Sequence, residues 1–146
     1  MPYFQDAKEC EDVMGGFFKV MFDRYKDKDE LATRIIDALK DNGLVIKFAW
    51  KDPEITVTLN PTDDTFGVFI NDDAMKPVTT FSLTADTAHE FWHGRIKLAK
   101  ALTTKQIVAK GPIPKILKLL PIIEPLYGEY PKYLEEIGRS DLILGT

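Results

Sequence analysis

His89-Glu90-Phe91-Trp92-His93 reads H-E-x-x-H. Two histidines four apart share one helix face, and their ring nitrogens can hold one zinc ion. Glu90 would then act as general base on a metal-bound water. A catalytic zinc needs a third protein ligand, and the chain has only two histidines. The third would have to be a carboxylate. Glu124, Glu129, Glu135 and Glu136 lie downstream, and nothing singles one out. The surroundings argue against a peptidase helix, because Asp86 stands just before the motif and Gly94-Arg95 follows it at once. The competing reading is structural: two partly exposed helical histidines flanking a core Phe91. The structural reading is preferred, and a zinc-dependent hydrolase using His89, Glu90 and His93 stands as the alternative.

The elements around the motif follow from periodicity. From about Ala7 to Tyr25, Val13, Met14, Phe17, Phe18, Met21, Phe22 and Tyr25 recur at helical spacing, with Gly15-Gly16 permitting close packing. Asp27 with Glu30 offers a capping box for a second helix, which Asn42-Gly43 stops. The period then becomes two. Leu44 to Trp50, Glu54 to Leu59, Phe66 to Ile70 and Val78 to Thr84 read as four strands joined by short polar turns, hence an antiparallel meander. Thr84 or Asp86 caps a helix through about His93, and a short helical piece follows from Ile96 to Thr104. Gln106 to Lys110 reads as a fifth strand. Gly111-Pro112-Ile113-Pro114 opens a last substantial helix, which Pro121 kinks or ends. Its expected apolar face is Ile113, Ile116, Leu117, Leu120 and Ile123, with Lys115 and Lys118 opposite. Pro131 to Gly138 reads as one more short helix.

A chain of 146 residues, 45% hydrophobic and 11% aromatic, suits one domain spanning residues 1–146 with a substantial core. The net charge of −4 argues against a general nucleic-acid binder. The charge is uneven. Arg95, Lys97, Lys100, Lys105, Lys110, Lys115 and Lys118 run without an intervening acid, which suits contact with anionic lipid heads or an acidic partner. The single Cys10 excludes an internal disulfide framework and suits a reducing compartment. Met1-Pro2-Tyr3-Phe4-Gln5-Asp6 has no signal-peptide pattern, and Leu144-Gly145-Thr146 is no peroxisomal address, so a cytoplasmic location is expected.

Thr80 to Thr84 leads into Ala85-Asp86-Thr87-Ala88-His89-Glu90-Phe91-Trp92-His93-Gly94. Leu98 to Leu102 follows, then Gln106-Ile107-Val108-Ala109-Lys110-Gly111 and the apolar Ile113 to Leu120. This ordered set resembles the sterol carrier protein type 2 family, over about Leu31 to Ile123. The connector Ala101-Leu102-Thr103-Thr104 departs from it in lacking an asparagine-proline start. The resemblance implies an α+β fold: a five-stranded, mainly antiparallel sheet with helices packed on one face, enclosing an apolar tunnel. It further implies binding and transfer of a hydrophobic lipid (a fatty acid, fatty acyl-CoA or sterol-like molecule) without catalytic residues or a cofactor. Phe81, Leu83, Phe91, Trp92, Leu98, Leu102, Ile113, Leu117 and Leu120 are the expected tunnel walls. Lys97, Lys100, Lys115 and Lys118 are the expected contacts to a head group or an anionic membrane surface. The N-terminal helix (about 7–25) and the Pro-rich tail (about 122–146) are additions that plug the tunnel or cover its mouth. A third reading is a protein-interaction module without ligand, in which Phe17, Phe18, Met21 and Phe22 pack against a partner or a second copy as a homodimer.

Overall fold

The structure is a computed structural model and describes residues 2–145. Met1 and Thr146, which belong to the terminal sequences read for targeting and to the one-domain span, lie outside the described residues.

The N-terminal apolar periodicity folds as helix with one interruption. α1 (Ala7–Cys10) and α2 (Gly16–Lys26) are joined by a π-helical turn, Glu11–Gly15. Val13, Met14, Phe17, Phe18, Met21 and Phe22 are all buried in the chain's own core. Phe17, Phe18, Met21 and Phe22 are therefore not the surface that the interaction-module reading assigned to a partner or a second copy. The turn presents the Val13 carbonyl to Tyr133, whose hydroxyl donates to it at 2.7 Å. Gly16 permits this approach, because a β-carbon there would stand 2.5 Å from the Tyr133 oxygen.

α3 (Glu30–Asp41) is capped by Asp29, whose carboxylate accepts from Ala32 N at 3.0 Å. The expected Asp27–Glu30 box does not form. α2 runs on to Lys26, so Asp27 becomes its C-cap and donates its own N–H to Asp23 O. Gly43 (φ +61°) ends α3, as the Asn42-Gly43 pair predicts.

Five strands follow: β1 (Ile46–Lys51), β2 (Ile55–Asn60), β3 (Gly67–Ile70), β4 (Thr79–Thr84) and β5 (Val108–Lys110). Their order is β3-β2-β1-β4-β5, and every pair is antiparallel except β1–β4. The sheet is thus mainly antiparallel, but the four-strand meander is not what forms. β4 lies beside β1 and parallel to it, with Phe48 opposite Phe81 and Trp50 opposite Leu83. The chain from 71 to 78 must cross β2 and β1, three strand spacings or about 14 Å. It must also run back along the strands. Eight residues reach about 26 Å, which is enough. Val45 O receives it, accepting from Val78 N at 2.8 Å and Thr79 N at 3.2 Å. Lys47 pairs with Asp73 at 3.3 Å on the way.

The helices pack on one sheet face. α4 (Ala85–Trp92) is capped by Thr84, and Gly94 (φ +75°) follows its end. α5 (Leu98–Thr103) leads to β5. α6 (Ile113–Ile123) contains Pro121 without ending at it. The missing Pro121 N–H leaves the Leu117 carbonyl without its helical donor. Leu117 and Pro121 both lie on the exposed side of the helix. α7 (Leu126–Glu136) begins earlier than the expected Pro131 and includes it. Its Tyr130, Tyr133 and Leu134 are buried, and a 3-10 turn, Ser140–Leu142, follows. Buried residues from Phe4 to Leu142 form one continuous hydrophobic cluster. Among the described residues no helix is long and apolar enough to cross a membrane.

Candidate functional site

The inward faces of sheet and helices do not close completely on each other. They leave a cavity of about 110 Å³ whose wall residues are all aliphatic or aromatic. The sheet contributes Ile46, Phe48, Trp50, Leu59, Phe81 and Leu83. These alternate with outward Lys47, Ala49, Thr58 and Ser82, as period two requires. α2 adds Phe18, Met21 and Phe22, and α3 adds Ile35, Ile36 and Leu39. Ala88, Phe91 and Trp92 come from α4, and Ile116, Leu119, Leu120 and Ile123 from α6. Phe18 stacks on Phe48 at 5.3 Å and meets Trp92 edge-on at 5.5 Å, so one wall is a rigid aromatic panel. The volume is below the roughly 150 Å³ in which an apolar cavity holds benzene. A depression of about 500 Å³ on the outer sheet face mixes Lys51, Glu54 and Lys105 with Thr and Ser hydroxyls. Trp50, Leu83 and Val108 also line it.

The two histidines lie behind this wall. His89 is 0% exposed rather than partly exposed. Its Nε2–H donates to Leu142 O at 2.7 Å, so its Nδ1 carries a lone pair and accepts the Tyr130 hydroxyl at 2.8 Å. Burial pushes its pKa down from 6.5 to about 4. His93 Nδ1–H donates to His89 O at 2.8 Å, and its Nε2 accepts from Leu144 N at 3.2 Å. Burial lowers its pKa as well. All four ring nitrogens are therefore occupied within the protein. Among the described residues no three His, Cys, Asp or Glu side chains gather to hold a metal. The zinc alternative is corrected on this ground: the motif's spacing is met, but its lone pairs are spent on Tyr130 and Leu144. Cys10 is equally inert, because burial pushes its thiol up to about 12.

No protein-family profile matches the sequence, and no curated protein matches it. Solved structures do. The sterol carrier protein domain 2 of Helicoverpa armigera superposes with a TM-score of 0.59 at 18% identity, over 81% of this chain and 91% of that one. Sterol carrier protein 2 from Yarrowia lipolytica, in its apo form, superposes with a TM-score of 0.56 at 15% identity, over 74% and 87% of the two chains. This chain has the sterol carrier fold. The expected α+β architecture, a five-stranded sheet with helices on one face, is the one observed.

Within this sterol carrier fold, six of the nine expected wall residues border the cavity: Phe81, Leu83, Phe91, Trp92, Leu98 and Leu120. Leu102, Ile113 and Leu117 do not. α6 is rotated from its expected face, so that Leu119 is buried and Leu117 faces out. The apolar space found among the described residues is the cavity above, and a continuous tunnel is not shown. Sequence reasoning missed the walls supplied by α2, α3 and β1, although the 3.6 and 2.0 periods marked those residues as core. The two flanking additions are built into the wall, through Phe18 and Met21 at one end and Leu126 at the other. Lys97, Lys100, Lys115 and Lys118 are all exposed, and none forms an ion pair among the described residues.

Proposed function

We propose that this protein binds a hydrophobic lipid in the cavity between sheet and helices and carries it without chemical change. One observation carries the reading: an internal space walled only by apolar side chains, in a sterol carrier fold. Each CH₂ removed from water contributes about 0.8 kcal/mol, so an alkyl chain needs no charged partner there. Fatty acid, fatty acyl-CoA and sterol-like molecules are the proposed ligands. Ligand sites of drug size occupy about 300–1,000 Å³, so binding requires the wall to open further. α6 is the element we expect to give way. It packs on the cavity through Ile116, Leu119, Leu120 and Ile123 while its other side faces solvent. The exposed Lys97, Lys100, Lys115 and Lys118 then serve a phosphate-bearing head group or an anionic membrane surface, in a cytoplasmic setting.

Native mass spectrometry on protein purified gently without detergent tests this. An adduct of a few hundred daltons that fragments as a lipid supports the reading and names the ligand class. Bare protein that also fails to take up a fluorescent fatty acid overturns it.

A further inference from the structure

Eleven residues make α6, and only Lys115 and Lys118 among them are polar. A helix that is apolar on every side is ordinarily buried in a core or a membrane. α6 buries one side. Ile116, Leu119, Leu120 and Ile123 border the cavity. Pro114, Leu117 and Pro121 recur at spacings of three and four, share the opposite side and are exposed. Lys115, Lys118 and Ile122 form the next row, in which both lysines are exposed and Ile122 is half-buried.

The charge beside this apolar row has one sign. Neither lysine has a carboxylate partner among the described residues. They end a run of seven exposed cations, Arg95 to Lys118, that no acid interrupts, in a chain whose net charge is −4. The next acid, Glu124, is exposed at the C-cap of α6 and bounds the basic surface there. α6 thus offers carbon flanked by positive charge. The complementary surface is negative outside and hydrocarbon just beneath, as in a bilayer that carries acidic lipids.

We propose that α6 docks the protein on an anionic bilayer. Leu117, Pro121 and Ile122 enter the boundary between head groups and acyl chains, and Lys115 and Lys118 pair with the lipid phosphates. The inference rests on the lipid-binding reading and names the partner at which the cavity loads or empties. Bilayer and cavity then lie on opposite sides of one helix, and displacing α6 joins them.

The test places an environment-sensitive dye on Leu117→Cys. Cys10 is buried, so the dye attaches at position 117 alone. On vesicles of phosphatidylcholine and phosphatidylserine mixed two to one, the emission should shift to the blue. On phosphatidylcholine alone it should stay in place. In flotation with the mixed vesicles, the unlabelled double variant Lys115→Glu/Lys118→Glu should bind at least about tenfold more weakly than wild type, and Leu117→Ser about fivefold. An unmoved dye on vesicles that hold the protein, equal shifts on both vesicle types, or failure to bind the mixed vesicles overturns docking through α6. So does a concentration-dependent mass in vesicle-free buffer that Leu117→Ser abolishes, which assigns the face to a second copy. Uptake of a fluorescent fatty acid by wild type without vesicles is read separately. Its failure overturns the carrier reading and the role given to docking, whereas uptake beside failed docking overturns this inference alone.

Discussion

Tyr130 donates its hydroxyl proton to His89 Nδ1 across 2.8 Å, and this bond and the one from His89 Nε2–H to Leu142 O require a neutral ring. The pair joins α4 to α7 and to the turn that follows α7. Phe4 closes the same site edge-on at 5.3 Å from the His89 ring. A motif that spells a metal site is thus a clasp holding both ends of the chain against the helix behind the cavity.

The clasp makes stability depend on pH in a defined direction. His89 titrates near 6.5 when unfolded and near 4 when folded, because burial opposes its charge. Between those values the unfolded state binds more protons, so stability is full above about 6.5 and falls as pH drops toward 4. The difference amounts to about 3 kcal/mol at the acid end. His93, lowered for the same reason, adds in the same direction. Urea unfolding from pH 7.5 to 4.5 should show this decline in wild type and a shallower one in His89→Gln. Parallel profiles for the two proteins would show that His89 is not its source.

Gly16 and Tyr133 should be energetically coupled. Alanine normally favours a helix over glycine by about 1 kcal/mol. A β-carbon at position 16 would nevertheless collide with the Tyr133 hydroxyl at 2.5 Å. We expect Gly16→Ala to lower stability, and Tyr133→Phe, which removes that oxygen, to recover part of the loss in the double variant. Simple additivity in a denaturation cycle would contradict the packing described.

Cavity occupancy can be separated from surface effects with two leucine-related changes. Ala88 is 2% exposed and borders the cavity. Ala88→Leu places extra carbon into the empty space, so its melting temperature should hold or rise while uptake of a fluorescent fatty acid falls at least about fivefold. Leu117→Arg alters an exposed position outside the wall and should leave that uptake within about twofold. The reverse ranking would return Leu117 to the binding face.

The histidine pair should ignore zinc. Neither ring has a free lone pair, so one equivalent of zinc added to dialysed protein should not shift its melting temperature. Stoichiometric zinc that survives dialysis and disappears in His93→Ala would show that the clasp opens to a metal.

Much of the fold was legible because it depends on periodicity. Phe17, Phe18, Met21 and Phe22 repeat at helical spacing, and Ile55, Val57 and Leu59 alternate as strand. Asn42-Gly43 and Gly94 sit where the chain needs a left-handed turn. These signals are local. Each is carried by neighbouring residues and by backbone geometry that distant contacts do not alter.

Pairing, rotation and satisfaction are not local. Asn71-Asp72-Asp73 has the composition of a hairpin turn, yet it begins a crossover, because β4 finds the free edge of β1 rather than that of β3. α6 is apolar over more than one face, so its sequence permits several rotations; packing against α3 and the sheet selected the one that buries Leu119 and exposes Leu117. His89 carries the same letters in a metal site and in a buried clasp. Only its meeting with Tyr130, 41 residues on, and with Leu142, 53 residues on, decided which, because a ring nitrogen has one lone pair to spend.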